Sequence, residues 1–390
     1  MLPSTLTAAD LGPDALLNLL RHDDPQGVVS IFVDVALDGR AAGIDIRNRL
    51  AELERRVDGE PSTAAALADT LARVAPELSA AVDSGGHGRG RALFVPLSGG
   101  EPTRLTTQLR LPNRVVLDER PFIHPLLECV ERGRPAGVVL ISSERADLLE
   151  WRQGELLMLT QRVLERDEPR GRPGPVVATA AGHQQSTPLR EQQQRRAHDR
   201  GRRFVDEVAS TVQDIADRKK WDRLLVSGGG AVTRLLLRSL PRPLRDNVIR
   251  EPRHLIDLGS MAVQRAVGER LEHHQAELDR RLVERVRSAA LAASDAVLGL
   301  SEVAAALNEA RVEHLLYDPA VRHVGAMTAS GRLVIPPERD PLGEPLLREP
   351  RLTERLVERC LATGARITPV EGAAATRLAD TGGVAARLRW

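Results

Sequence analysis

The sequence predicts an α/β fold of three layered α/β domains, and two observations carry that reading. Short apolar, β-branched runs alternate with longer stretches whose apolar residues recur at helical spacing, as in stacked layers of sheet and helix. The chain has 390 residues, 42% of them hydrophobic, which supplies core for two or three domains of roughly 100–200 residues each. The expected domains are 1–118, 119–258 and 259–390.

The first domain opens with a helical pattern at 15–20, followed by the buried-strand run 28–35. Helical spacing fills 41–83, broken at Gly59-Glu60-Pro61, and a glycine-rich turn at 84–88 leads into a strand at 92–96. In the middle domain a helix is expected at 124–130 and a strand at 136–142. Neighbouring strands at 146–151 and 155–158 meet across Gln153-Gly154. Residues 165–187, rich in Arg, Pro, Gly and small polar residues, are expected to form an exposed loop. A helix follows over 188–218, with Pro188 near its start, where a missing N–H costs little. A strand at 222–227, Gly228-Gly229-Gly230 and a helix to Leu240 complete this domain. The third domain starts with a long amphipathic helix over 260–298, more suited to core packing than to docking. It continues with a helix at 301–310, strands at 312–317 and 332–335, a helix at 351–363 and a strand at 365–370.

Composition removes several function classes. Only Cys129 and Cys360 occur, far apart, which excludes a disulfide framework and a cysteine-rich zinc site. No apolar run approaches the ~18 residues that span a bilayer, and the first residues lack a basic and then apolar leader pattern. These features point to a soluble cytoplasmic protein without a membrane partner. The net charge of +1 argues against a globally basic nucleic-acid binder, and 2% aromatics argue against recognition by stacked aromatic platforms. The basic residues are nearly all arginine, with Lys219 and Lys220 the only lysines. Codon usage in a high-GC genome accounts for that excess, so composition alone does not show RNA binding. If RNA is the partner, phosphate and shape must carry the contact.

Two adjacent features stand out locally. Ala181-Gly182-His183-Gln184-Gln185-Ser186 sits between predicted elements, and Arg190, Arg195, Arg196, Arg200, Arg202 and Arg203 follow it against only Glu191 and Asp199. Taken alone, the first is a polar connection and the second a solvated helix face. Arginine makes bidentate contacts to phosphate, so the cluster also suits an RNA backbone. Gly228-Gly229-Gly230 lacks the lysine, hydroxyl and spacing of a nucleotide loop and reads as a tight turn. His87 falls in the glycine-rich turn and reads as an exposed loop residue. His273-His274 point to different faces of a helix, which does not suit a metal. No G-x-S-x-G or H-E-x-x-H pattern is present, so no catalytic residue, metal or cofactor is assigned.

Taken in order, the strand at 137–142, the hairpin at 146–158, the loop at 182–186 and the arginine-bearing helix resemble the middle domain of one family. This is the archaeal and eukaryotic class-1 release factor–Pelota superfamily, in its bacterial branch. Residues 299–307 and 312–316, and the ending Gly382-Gly383-Val384 to Leu388-Arg389-Trp390, are similar to the helix, strand and finish of its third domain. The resemblance implies three α/β domains in the family's order, with the first toward the decoding site. It also implies that Gly182, His183, Gln184, Gln185 and Ser186 face the peptidyl-transferase centre, and that the six arginines contact rRNA phosphate.

The chain departs from the family at both of its signature motifs. Gly-Gly-Gln occurs nowhere: the double glycines continue as Gly86-His87, Gly100-Glu101, Gly230-Ala231 and Gly383-Val384. Matching Gln185-Ser186 to the family's Gln-Ser puts His183 and Gln184 where glycines are expected, and side chains there restrict positive φ. The codon-reading Asn-Ile-Lys-Ser is also absent. The resemblance therefore implies a hibernation or stress factor that occupies the A site of the 70S ribosome without reading codons or cutting peptide. The family couples to a translational GTPase, here elongation factor Tu, a contact that no motif assigns to particular residues. Two alternatives remain open: a rescue release factor or peptidyl-tRNA hydrolase using Gln184 or Gln185, and a non-ribosomal adaptor that keeps only the fold.

Overall fold

The computed structural model describes residues 5–7, 11–35, 39–86, 88–164, 186–336 and 343–390. His87 lies outside them. The fold is mixed α/β and divides into two compact units, one of Met1–Gly133 with His273–Trp390 and the other of Arg134–Glu272.

The first unit begins with β1 (Thr5–Thr7), α1 (Pro13–Leu20), β2 (Val28–Asp34), α2 (Gly39–Val57), α3 (Pro61–Arg73) and α4 (Ala75–Val82). It continues with β3 (Gly90–Pro96), β4 (Thr103–Thr107), β5 (Arg114–Asp118) and α5 (His124–Arg132). The five strands form one sheet in the order β1-β4-β3-β2-β5. Both faces of β2 are covered. Val29, Ile31 and Val33 pack with Ile46, Leu53 and Leu67, while Val28 and Phe32 pack with Leu16, Leu19 and Leu126. A strand buried on both faces loses the polar alternation of a half-exposed one, so it reads as a continuous apolar run. The helical stretch breaks a second time, at Val74, because Pro76 enters the first turn of α4.

The second unit contains β6 (Ala136–Ile141), β7 (Arg145–Arg152), β8 (Glu155–Val163), α6 (Ser186–Lys219), β9 (Leu224–Gly228), α7 (Gly230–Ser239), α8 (Arg242–Asp246) and β10 (Val248–Glu251). Its sheet runs β10-β9-β6-β7-β8, parallel from β10 through β9 to β6 and antiparallel beyond. Gln153 and Gly154 turn β7 into β8 with φ of 51° and 86°, the left-handed pair of a tight hairpin. Helices α6 and α7 cover one face, where Phe204, Val208, Val212 and Leu236 meet Val139, Ile141 and Leu148. On the other face Val263, Val267 and Leu271 of α9 (Ser260–Leu291) meet Val138, Leu140 and Trp151.

Helix α9 passes from the second unit into the first, where Val283 and Val286 join Leu316, Leu378 and Ala385 in another core cluster. It ends at Leu291, short of the helix expected to 298. Ala293 adopts φ 50°, and Ala296–Leu298 forms β11, paired with the strand β17 (Val384–Leu388). Ser294 and Asp295 lie in the break, and such side chains compete with helical backbone bonding; the Asp295 carbonyl accepts the Leu388 N–H at 2.7 Å.

Between β11 and β17 lie α10 (Leu300–Asn308), β12 (Val312–Tyr317), β13 (Gly325–Thr328), β14 (Leu333–Val334), β15 (Leu346–Glu349), α11 (Leu352–Ala362), β16 (Arg366–Pro369) and α12 (Gly372–Thr376). They build a four-stranded sheet, β11-β17-β12-β16, and a three-stranded one, β14-β13-β15. Leu315, Tyr317, Leu356 and Cys360 belong to the same core cluster as Phe32, Phe94 and Leu126. The two sequence segments of the first unit therefore share one hydrophobic core.

Candidate nucleic-acid interface

Helix α6 is built in two halves. From Phe204 onward a stripe of Phe204, Val205, Val208, Ala209, Val212, Ile215 and Ala216 is buried. At about 100° per residue this stripe covers roughly 140° of the circumference. Before Phe204 no described side chain is buried: Gln192 and 195–200 are exposed, as are Arg202 and Arg203, and Gly201 is half-exposed. Residues 192–203 alone make an arm about 18 Å long.

The same geometry sorts the arginines. Arg195, Arg196, Arg200, Arg202 and Arg203 fall within roughly 160° of helix surface, and that arc does not overlap the buried stripe. Asp199 is the one acid among them. Beyond Arg203 the exposed face changes sign, with Asp206, Glu207, Asp214 and Asp217 along it. The arginine-rich surface thus lies in the N-terminal half of the helix, and basic residues return only in its last turn, at Arg218 and Lys219.

Of the residues singled out in the sequence, Gly182, His183, Gln184 and Gln185 lie outside the described residues. Ser186 is the first residue of α6, and Arg190 lies in its second turn, both described by backbone alone. The helix is anchored at its far end. Glu150 on β7 is buried, with one carboxylate oxygen 3.1 Å from Lys219 Nζ and the other accepting the Trp221 Nε1–H at 3.2 Å. Sequence reasoning missed this anchor, since its partners lie about 70 positions apart and carry no local pattern.

The other candidates take structural roles. A Cβ on Gly228 would stand 2.3 Å from the Ile141 carbonyl oxygen, so close approach of β9 to β6 explains that glycine. His273 pairs with Glu277 at 3.3 Å along α9. Among the described residues no group of three His, Cys, Asp or Glu side chains is placed to hold a metal. No helix among them is long and apolar enough to cross a membrane. Cys129 and Cys360 are free and buried. Burial raises both thiols, Cys129 to about 12, which is the opposite of an activated nucleophile.

Residues 121–277 match the family model of bacterial archaeo-eukaryotic release factor family 10. This span contains the whole second unit with α6. No curated protein matches the sequence. Among solved structures, archaeal translation termination factor aRF1 is 15% identical over 100% of both chains, with a TM-score of 0.25. Pelota of Archaeoglobus fulgidus is 17% identical over 77% of this chain and 79% of its own, TM-score 0.35. Dom34 of S. cerevisiae is 11% identical over 77% and 79%, TM-score 0.41. Identities and scores this low carry no weight beyond the likeness itself. The segment that bears the arginine helix, residues 121–277, is thus similar to this bacterial release factor family.

Proposed function

We propose that this protein is a ribosome-binding factor of the hibernation or stress type, which occupies the A site without reading codons or hydrolysing peptide. The observation that carries this reading is the exposed arginine arc of α6, set directly after residues 181–186 in a segment of release-factor family. On this reading the arm lies along rRNA phosphates, and Gly182, His183, Gln184, Gln185 and Ser186 point toward the peptidyl-transferase centre. The three segments act in family order, with 1–118 on the decoding side, 119–258 carrying the arm and 259–390 behind. Missing Gly-Gly-Gln and Asn-Ile-Lys-Ser motifs support occupancy without chemistry or codon choice. The individual relative that this reading points to is the ribosome hibernation factor Balon. Elongation factor Tu is the proposed delivery partner, and the compartment is the cytoplasm.

A second reading is a rescue release factor or peptidyl-tRNA hydrolase. What favours it is the Gln184-Gln185 pair immediately before the first residue of α6, since a glutamine held there could orient water. The experiment is co-pelleting with vacant 70S ribosomes across a salt series, beside peptide release from a loaded complex. Saturable, salt-sensitive binding without release supports the first reading. Binding with release supports the second. No binding leaves a non-ribosomal adaptor.

A further inference from the structure

In the first unit, a cavity of about 730 Å³ opens beside β15, lined among others by Met327, Leu333, Leu347, Arg348 and Arg359. Strand β15 pairs with β13 on one side only, and among the described residues its other edge is free. It exposes large apolar groups: Leu347 is 65% exposed and Leu346 40%. A free edge is a template for pairing, and soluble proteins usually blunt one by charge, brevity or cover. Here the edge carries two leucines beside a cavity of the size that holds ligand side chains.

Charge indicates what fits there. Most carboxylates on the wall are already engaged. Arg355 Nη1 lies 2.7 Å from Glu358 and its Nε 3.0 Å from Glu349. Asp118 pairs with Arg351, and Arg120 lies 2.9 Å from Glu358. Arg359 donates to the Gly331 carbonyl at 2.9 Å. Among the described residues neither Arg359 nor Arg348 has a carboxylate partner, so two guanidinium groups remain to meet an anion. With Asp118, Glu349 and Glu358 already paired, the wall offers two separate cations beside apolar groups and, among the described residues, no continuous basic track. That suits a peptide with spaced carboxylates and apolar side chains better than a phosphate backbone.

We propose that β15 and this cavity bind an extended acidic–apolar peptide segment of a partner protein, which adds as a strand to the free edge. Backbone hydrogen bonds supply the pairing. Alternate side chains place an apolar group against Leu347 and Met327 and carboxylates at Arg348 and Arg359. The surface is separate in sequence from α6 and independent of what α6 binds.

The probe is a fluorescein-labelled heptapeptide of alternating Glu and Leu, titrated with the full chain and read by anisotropy at about 0.1 M salt. Saturable binding is expected. Arg348→Glu and Leu347→Glu, both at exposed positions that leave the circular dichroism unchanged, each weaken it at least about tenfold. Arg195→Ala with Arg196→Ala leaves it unaltered. The same peptide with proline at alternate positions, lacking those N–H donors, binds at least about tenfold more weakly. The proposal is overturned if no saturation occurs, or if the proline peptide binds equally. It also fails if the loss of binding follows the Arg195/Arg196 change rather than Arg348→Glu, or if a short RNA is the ligand whose binding Arg348→Glu abolishes.

Discussion

The Tyr317 hydroxyl lies 3.3 Å from His124 Nδ1, joining residues 193 positions apart inside the first unit. His124 stacks on Phe122 with ring centroids 4.9 Å apart and meets Tyr317 edge-on at 5.4 Å. Burial, with help from the nearby Arg114 cation, lowers the histidine to about 3, so it stays neutral at physiological pH. Desolvation raises Tyr317 well above its usual value. This is the chain's only tyrosine. Its ionisation is therefore readable by absorbance without interference from another phenol. At about pH 10.5, above the ordinary tyrosine value near 10, the native protein should show little tyrosinate, and added denaturant should release about three-quarters of the full signal. Tyr317→Phe leaves the ring in place and the histidine nitrogen without its partner. It should destabilise the unit by about 1–3 kcal/mol in urea unfolding.

Arg355 provides a second link across the same unit. Its guanidinium reaches Glu349 at 3.0 Å, Glu358 at 2.7 Å and Asp118 at 3.6 Å, and its side chain is 13% exposed. Removing it takes from Glu349 its cation in a poorly solvated place, while Asp118 keeps Arg351 and Glu358 keeps Arg120. Arg355→Ala is expected to cost about 3–5 kcal/mol, while exposed Arg49→Ala costs less than about 1 kcal/mol. Urea midpoints of the two variants check this.

A third prediction concerns pH. Glu128 is pushed up to about 7 by burial and by the neighbouring Glu371 carboxylate, against the opposing pull of Arg132. Asp279 on α9 is raised to about 6, mainly by burial, with Glu131 and Glu371 adding to it and Gln275 and Arg132 opposing. Both folded values lie above the unfolded ones, so the native state holds protons that the unfolded chain releases. The stabilisation is complete below the unfolded values near 4 and is lost as pH rises through about 6 and then 7. By themselves these two groups make the first unit less stable as pH rises over that range, while buried His124 and His314, lowered to about 3 and about 4, act in the opposite direction below about 6.5. Glu128→Gln combined with Asp279→Asn should remove the carboxyl contribution, so the variant gains stability relative to wild type as pH rises and is the more stable of the two at about pH 8. A stability difference between variant and wild type that does not grow from about pH 4 to 8 would contradict this.

The arginine arc yields a salt prediction. Each arginine–phosphate pairing removed should reduce the log–log salt slope of RNA-dependent binding by about 0.7–0.9. Replacing Arg195, Arg196 and Arg200 by alanine should lower the slope by roughly 2–3 and weaken binding at every salt concentration. Replacing Asp206 and Glu207, on the acidic half of the exposed face, should not weaken it. Pelleting across a salt series reads both.

Much of this fold was legible because burial leaves a local trace. The double-sided burial of β2 and β6 wrote continuous apolar runs, and the Gln153-Gly154 turn marked the β7–β8 hairpin. Other elements left little trace. Strand β4 reads Thr-Arg-Leu-Thr-Thr, and β5 is nowhere fully buried, so neither shows a strong apolar signal. The end of α9 turned on backbone geometry at Ala293 and on pairing with a strand almost 90 residues later. The core shared by Phe32, Tyr317 and Cys360 is a long-range property that no local window contains. At the candidate site the sequence identified the arginines. The turn at which α6 leaves its core, Phe204, and the switch to an acidic face after Arg203 became clear only from the fold.

The most direct test of the central claim combines one binding and one chemical readout on the same complex. Vacant 70S ribosomes are pelleted with wild-type protein and with the Arg195/Arg196/Arg200 alanine variant, while a loaded complex is monitored for peptide release. The account predicts saturable wild-type pelleting that falls steeply with salt, a marked loss in the variant, and release no faster than without protein. Equal pelleting of both proteins, or peptide release that depends on Gln184 or Gln185, would contradict it.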